Sequence, residues 1–423
     1  MSGSASVHAR VAKHAGLTFA GTLANNLLSY VFYALVSRAL GVEAYGSFSS
    51  LLAIVFVASA PAAIAQLTVA KLSTQYADDP EGLAGLVRAV DRLALIIAAG
   101  ATAVMALLAK PIADFLHLGD AWLVVIAALA LGGLIALPFF RGVLQGTSSF
   151  SAFALSNVVE GASKAVFPPL MAVVAGLPGA LAGAACAYAV PAAYTYVVGH
   201  PHRRGVAPPY SLRRAVGTTA GVALTVSCIY VMLFFDTILT KRYLDAHTAG
   251  LYGAVSLACR ALYAVTSFIP VVLLPQAALT AQRGHTTRAL FAQAVGLTLA
   301  ICIPTCIGFA LFPQLVMTAI AGRAFTSAAP MLEPYVLAMA ALCVANVVAT
   351  YNIARGRTAF VGPLAAVALG EIIAVVVRHR SAGDVLQTIG VGHTLAIVAC
   401  ATSLFGARAK ASAPSSESTP ASA

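Results

Sequence analysis

Apolar stretches long enough to cross a bilayer follow one another almost end to end from Ala15 to Phe405. A crossing helix needs about 20 mainly apolar residues to span roughly 30 Å of hydrocarbon. Inside that layer the chain must satisfy its own backbone N–H and C=O groups, which leaves α-helices or a closed β-barrel. Barrel strands are short and alternate polar with apolar side chains, whereas these stretches are continuously apolar. Helices are therefore expected. Of the 423 residues 60% are apolar and only 9% charged, with a mean hydropathy of +0.90. Soluble domains carry about a quarter charged residues, so a water-soluble globule is excluded.

The stretches predict an all-α polytopic membrane protein with about twelve spans, at 15–37, 44–70, 86–108, 121–140, 152–174, 178–198, 215–237, 249–273, 289–313, 334–353, 359–377 and 387–405. Pro168-Pro169 and Leu177-Pro178-Gly179 mark the passage from the fifth to the sixth, with a kink at Pro169 as the alternative to a break. The first stretch follows Arg10 and Lys13 as a signal peptide would. It is longer than a signal core and no polar cleavage zone follows it, so it reads as a retained helix.

Basic residues set the orientation. With the N-terminus in the cytoplasm, 16 of the 25 lysines and arginines fall in cytoplasmic segments, Arg141, Arg203, Arg204 and Arg283 among them. Seven fall outside, and Lys164 and Arg260 lie within helices. This bias places the protein in the inner (cytoplasmic) membrane with both termini cytoplasmic. Lys241-Arg242 and Arg378-His379-Arg380 run against it locally. The net charge of +11 thus belongs to membrane topology. Nucleic acid is not an expected partner, because no basic stripe with interleaved aromatics occurs. All seven cysteines fall in predicted helices, and Cys302 and Cys306 read as small packing residues. No disulfide framework, zinc spacing or cofactor motif is present.

The longest polar break, GHPHRRGVAPPYSLRR at 199–214, has six spans on either side. It divides the chain into an N-terminal six-helix lobe (1–198), a cytoplasmic linker (199–214), a C-terminal six-helix lobe (215–406) and a disordered cytoplasmic tail (407–423). The lobes resemble each other. Leu40-Gly41-Val42-Glu43-Ala44-Tyr45-Gly46 opens the second span and a Leu244…Tyr252-Gly253 segment opens the eighth. Pro61 and Pro270 follow, and Arg141…Gly146…Phe150 matches Arg355-Gly356…Phe360. The offset is about 210 residues throughout, which fits a parallel repeat with a pseudo-two-fold axis along the membrane normal. Two such bundles enclose a cleft that rocking can open to either side, so a transporter is expected.

An ionisable residue at the bilayer centre costs about 2.5–3.5 kcal/mol and needs a reason. Glu160 and Lys164 stand four apart in the fifth span, where they can pair on one helix face; they are either a structural ion pair or part of a cleft wall. Arg260 has no acid three or four residues away and lies at mid-span. A cavity-facing, anion-binding role is expected, its guanidinium suiting phosphate, with an interhelical pair as the alternative. Asp236 is a candidate partner for Arg260, or for the nearby Lys241 or Arg242, with ion or proton coupling as the alternative. Asn25, Asn26 and Gln66 either glue helices or line a hydrated path. Glu371 and His393 read as structural. No Walker A loop, GxSxG or HExxH occurs, and the outer loops are too short to house a catalytic domain, so an enzyme is not expected.

Three segments carry a resemblance: SRALGVEAYGSFSSLLAI (Ser37–Ile54), FRGVLQGTSSFSAFALSNVVEGASKAV (Phe140–Val166) and FFDTILTKRYLDAHTAGLYGAVSLACRAL (Phe234–Leu262). They are similar to polysaccharide-biosynthesis flippases of the O-antigen translocase type, in the multidrug/oligosaccharidyl-lipid/polysaccharide exporter superfamily. The resemblance implies two six-helix lobes in a V around a central, often cationic cavity bordered by helices one, two, seven and eight. It implies that Asn25, Asn26, Gln66, Asp236 and Arg260 lie along the substrate path. The implied cargo is a lipid-linked glycan, commonly carried on undecaprenyl pyrophosphate, with membrane lipids and the glycosyltransferases or polymerase of the same pathway as partners. An ion-coupled drug antiporter and a non-transporting scaffold of a polysaccharide assembly complex are the alternatives.

Overall fold

The structure, a computed structural model, describes residues 2–76, 78–203, 213–270 and 287–404. Within the linker, 204–212 lies outside the described residues, as do the 407–423 tail, Arg283 and the last residues of the eighth span.

Two long helical runs are each folded once by glycine. Ser2–Gln75 breaks at Gly41 (φ 72°, ψ 179°) into α1 (2–40) and α2 (42–75). Phe150–Val198 breaks at Ala175-Gly176, where Gly176 has φ 59° and ψ −138°, giving α5 (150–174) and α6 (177–198). Both glycines take a positive φ that residues with a Cβ rarely adopt. α5 continues with helical backbone through Pro168 and Pro169, as spanning helices tolerate when neighbouring helices re-satisfy the groups a proline frees. The other spans are α3 (Pro80–Leu107), α4 (Trp122–Gly146), α7 (Arg213–Tyr243), α8 (Ala246–Thr266), α9 (Arg288–Leu311), α10 (Leu332–Ala354), α11 (Val361–Val377) and α12 (Ala382–Ala401). Among the described residues nine helices, the two folded runs included, are long and apolar enough to cross a membrane, and α11 is a shorter apolar helix. Counting both segments of each folded run, and α11, the described residues hold twelve apolar helices, matching the expected number, and the protein is a multi-pass membrane protein.

Helix starts follow local chemistry. Pro80 opens α3 behind Asp79, whose Oδ1 accepts from the Gly82 N–H at 2.9 Å. Asp245 caps α8 through the Thr248 N–H, and its hydrogen bonds with Thr248 hold its carboxyl below the usual range. Ser381 and Asp384 form a capping box on α12.

α1 and α2 pack on α4, α5 and α6 within the N-terminal half, and on α7 and α8 across the molecule. In the C-terminal half α10 packs on α8, α9 and α12, while α11 lies between α7 and α12. Small residues permit these approaches, as membrane interfaces require. A Cβ on Gly161 would sit 2.9 Å from the Cα of Asn25, and one on Gly183 2.4 Å from the Cα of Pro168.

One expectation is corrected. Arg141, placed in a cytoplasmic loop by the 121–140 span, is buried inside α4, which continues to Gly146. An arginine can extend a spanning helix when a carboxylate is waiting for it, and Glu160 is.

Candidate substrate cavity

At the end of the bundle that carries the α1–α2 and α7–α8 turns, the two halves are bound together. Arg38, in the last turn of α1, donates from Nη2 to the carbonyls of Thr318 (3.1 Å) and Ala319 (2.9 Å) and from Nη1 to that of Ile320 (3.3 Å). These carbonyls end the short helix Pro313–Ile320, where unpaired C=O groups and the negative end of the dipole attract a cation. Ser37 adds a bond to the Ala321 carbonyl at 3.1 Å. Deeper in, the Tyr45 and Phe325 rings meet edge-on at 5.7 Å, and α2 touches α8 backbone to backbone at Gly46 and Gly250. Arg242 at the end of α7 contacts His117 Nε2 at 2.8 Å and the Phe115 carbonyl at 3.3 Å. The Tyr243 and His379 rings stack at 3.9 Å. The basic clusters that break the positive-inside pattern thus fasten this end of the structure.

Arg38 is exposed, so its bonds are screened. Arg38→Ala is expected to weaken this closure by about 1 kcal/mol. Faster amide exchange in 34–46 at unchanged membrane abundance is the readout; unchanged exchange would mean that the apolar contacts alone hold the end shut.

Beneath this closure lies a cavity of about 330 Å³ between α1, α2, α7 and α8. Tyr30, Tyr33, Tyr45, Tyr230 and Tyr263 line it, with Asn26, Ser29 and Arg260. Asn26, Tyr30 and Tyr33 follow the i, i+4, i+7 spacing that puts side chains on one helix face. That spacing is visible in the sequence, but uncharged tyrosines at helical spacing do not by themselves distinguish a cavity wall from ordinary packing.

Arg260 both lines the cavity and pairs. Its Nε donates to the Leu233 carbonyl at 2.7 Å, and its Nη2 to Thr237 Oγ1 at 2.6 Å and Asp236 Oδ1 at 3.1 Å. The guanidinium rests 4.5 Å from the Phe234 ring centre, and Phe234 stacks on Phe56 at 4.9 Å. Asp236 is buried behind it and accepts from the hydroxyls of Tyr252 (2.8 Å) and Tyr335 (2.5 Å). Nε and Nη2 of Arg260 are therefore occupied, while Nη1 has no hydrogen bond among the described residues. That is the edge on which an anion can be held without breaking the pair.

The other expected site residues separate from this cavity. Glu160 is buried between two cations: Arg141 Nη1 at 2.7 Å and Lys164, one turn on in α5. Arg141 also donates to Ser156 Oγ and to the Ser156 carbonyl, each at 2.9 Å, and Lys164 lies 5.3 Å from the Tyr188 ring centre. This cluster ties α4, α5 and α6 together. Gln66 donates to Gln145 Oε1 at 3.1 Å, linking α2 to α4. Asn25 faces Gly161 of α5, and its Oδ1 is buried with no hydrogen bond among the described residues. Of the seven expected path residues, Asn26 and Arg260 reach the cavity wall, and Asp236 stands directly behind Arg260.

Residues 11–279 match the family model described as "Polysaccharide biosynthesis protein". The fold matches an inward-facing multidrug resistance MATE family transporter of the MOP superfamily, at 13% identity and TM-score 0.73, over 90% of this chain and 94% of that one. It also matches lipid II flippase MurJ in an inward closed conformation, at 10% identity and TM-score 0.62, over 92% and 87%. The Vibrio cholerae MATE transporter VcmN in its bent form matches at 14% identity and TM-score 0.59, over 93% and 96%. These likenesses are of fold. No curated protein sequence matches the chain significantly.

Proposed function

Because the chain belongs to the polysaccharide biosynthesis protein family, we propose that it translocates a lipid-linked oligosaccharide, carried on a polyprenyl pyrophosphate, across the cytoplasmic membrane. The cavity carries the proposal: five tyrosines and Asn26 line it together with Arg260, whose Nη1 has no hydrogen bond among the described residues. Sugars stack on aromatic faces and hydrogen-bond to hydroxyls and amides, and a pyrophosphate takes charge-assisted bonds from a guanidinium. The lipid tail needs no protein site, since it can remain in the bilayer. A lipid II flippase on the same fold is consistent with such cargo.

In this reading 1–198 and 215–406 are the moving lobes, joined by the 199–214 linker. Both termini and the linker lie in the cytoplasm, so the Arg38 end faces outward and the structure is closed to the outside. Cargo enters from the cytoplasmic side, the Arg38 closure opens, and rocking of the lobes re-exposes the cavity on the far face. A reporter at His202 should then read cytoplasm and one at Asp245 the outside; the reverse pattern would overturn the orientation.

The direct test is reconstitution. Liposomes containing the purified protein and a polyprenyl-pyrophosphate-linked oligosaccharide should move the glycan to the lectin-accessible leaflet when an ion gradient or membrane potential is imposed, with no need for ATP. Transfer no faster than in protein-free liposomes, or tight saturable nucleotide binding by this chain, would sink the reading. Efflux of cationic drugs in the same liposomes would favour the antiporter alternative.

A further inference from the structure

Across the seam between the two halves lies a second hollow, a groove of about 470 Å³ near the end bearing Arg38. Its walls are Ile54 and Val57 of α2, Leu108 and Phe115 of the segment after α3, and Phe235 and Ile238 of α7. Every lining side chain is apolar, and Leu108 and Phe115 are exposed, so the groove opens toward lipid. Neighbouring residues divide it from the tyrosine cavity. Phe56 and Phe234 line the cavity and stack at 4.9 Å, while Val57 and Phe235 line the groove. The stacked rings close the seam, so a molecule in the groove does not reach the cargo cavity.

A cation stands at the mouth of this groove. Arg242 follows Phe235 by seven residues on α7, about 10 Å at 1.5 Å per residue, and shares a helix face with Phe235 and Ile238. Its Nη1 is committed to the Phe115 carbonyl and to His117 Nε2, and its guanidinium lies 5.3 Å from the Phe115 ring centre. Its Nε and Nη2 make no hydrogen bond, and no carboxylate pairs with it, among the described residues. That edge presents two parallel N–H groups, the geometry that takes a phosphate bidentately. The depth in the membrane is marked independently. Trp122, the one tryptophan of the chain, lies five residues past His117 and is 68% exposed. Exposed tryptophan in a spanning protein belongs at the headgroup level.

We propose that the groove binds an anionic membrane phospholipid, with one acyl chain along α2, Ala109–Phe115 and α7 and the phosphate on the Nε–Nη2 edge of Arg242. A bilayer lipid is the occupant rather than the cargo, because the stacked rings shut the groove off from the cavity. The walls come from both halves, so the lipid bridges them at the same end as the Arg38 closure. It keeps its full set of contacts only while α2 and α7 lie together, and its binding therefore favours the closed arrangement. The site stands whatever cargo the tyrosine cavity takes.

Photolabelling of the full-length protein tests this, in phosphatidylcholine nanodiscs doped with a phosphatidylglycerol carrying a diazirine at one acyl-chain end. Adducts should concentrate on 54–58, 108–115 and 235–238, and unlabelled phosphatidylglycerol should displace them. Arg242→Gln should lower this labelling about tenfold, the loss expected of one charge-assisted contact. Arg242→Lys should lower it less, because the charge survives. Ala58→Phe fills the groove from its exposed wall and should abolish the labelling with Arg242 intact. Phosphatidylglycerol should also slow amide exchange in 34–46. Labelling spread evenly over the lipid-facing helices would mean annular lipid only. That result, groove labelling indifferent to Arg242→Gln or to Ala58→Phe, exchange unmoved by phosphatidylglycerol, or displacement by a polyprenyl phosphate where phosphatidylglycerol is ineffective would each overturn the phospholipid site.

Discussion

Gly250→Val is expected to leave the protein inserted and abundant but to abolish glycan export, because the Arg38 end can no longer close. At this position a Cβ would lie 2.0 Å from the Val42 carbonyl oxygen and 2.7 Å from its carbon. Both atoms are backbone, so no rotamer change relieves the clash and α2 must move away from α8. The facing Gly46 leaves no slack, since its own Cβ would come within 2.9 Å of the Gly250 amide nitrogen. Forcing a side chain into such a contact costs about 1–3 kcal/mol, which lowers the closed population by about 5- to 150-fold. Amide exchange across 42–50 and 246–254 should rise by a comparable factor. Normal exchange together with normal export would show that these glycines serve folding and not the gate.

The second large effect is at Arg260. Arg260→Ala leaves Asp236 buried without its cation, and breaking a buried pair typically costs about 3–5 kcal/mol. The hydroxyls of Tyr252 and Tyr335 still reach Asp236, but neither carries charge. The single variant should therefore lose membrane abundance as well as export. Arg260→Ala combined with Asp236→Asn removes both charges and should restore abundance. If the free Nη1 edge holds pyrophosphate, export stays lost in that double variant. Arg260→Lys should recover part of it, since the charge survives without the fork. Export restored along with abundance would mean that Arg260 only neutralises Asp236 and that the cargo is held elsewhere. Combining Arg260→Ala with Glu160→Gln should rescue nothing, because the structure gives Glu160 to Arg141 and Lys164.

Crossing number was legible in the sequence because the bilayer imposes it: each apolar run had to be about one hydrocarbon thickness long. Tyr45-Gly46 and Tyr252-Gly253, paired in the sequence, both fall in the opening turns of helices, α2 and α8. The Glu160–Lys164 pairing followed from helical spacing, a local rule needing no tertiary information. The passage from α5 to α6, expected at Leu177-Pro178-Gly179, falls just before it at Ala175-Gly176, where glycine permits the positive φ.

Only the tertiary structure decided partners separated by many turns of chain. Spacing could not bring Arg141 to Glu160 from a neighbouring helix, nor choose Asp236 for Arg260, nor send Gln66 to Gln145 and away from the cavity. It could not reveal that the carbonyls ending Pro313–Ile320 await Arg38, or that Glu371, read as structural, has one carboxylate oxygen without a hydrogen-bond partner among the described residues. Helix periodicity states which face a side chain occupies, but packing chooses the helix across from it. In a membrane that choice rests on close contact between small residues and on satisfying each buried charge, and those conditions exist only once all the helices are assembled.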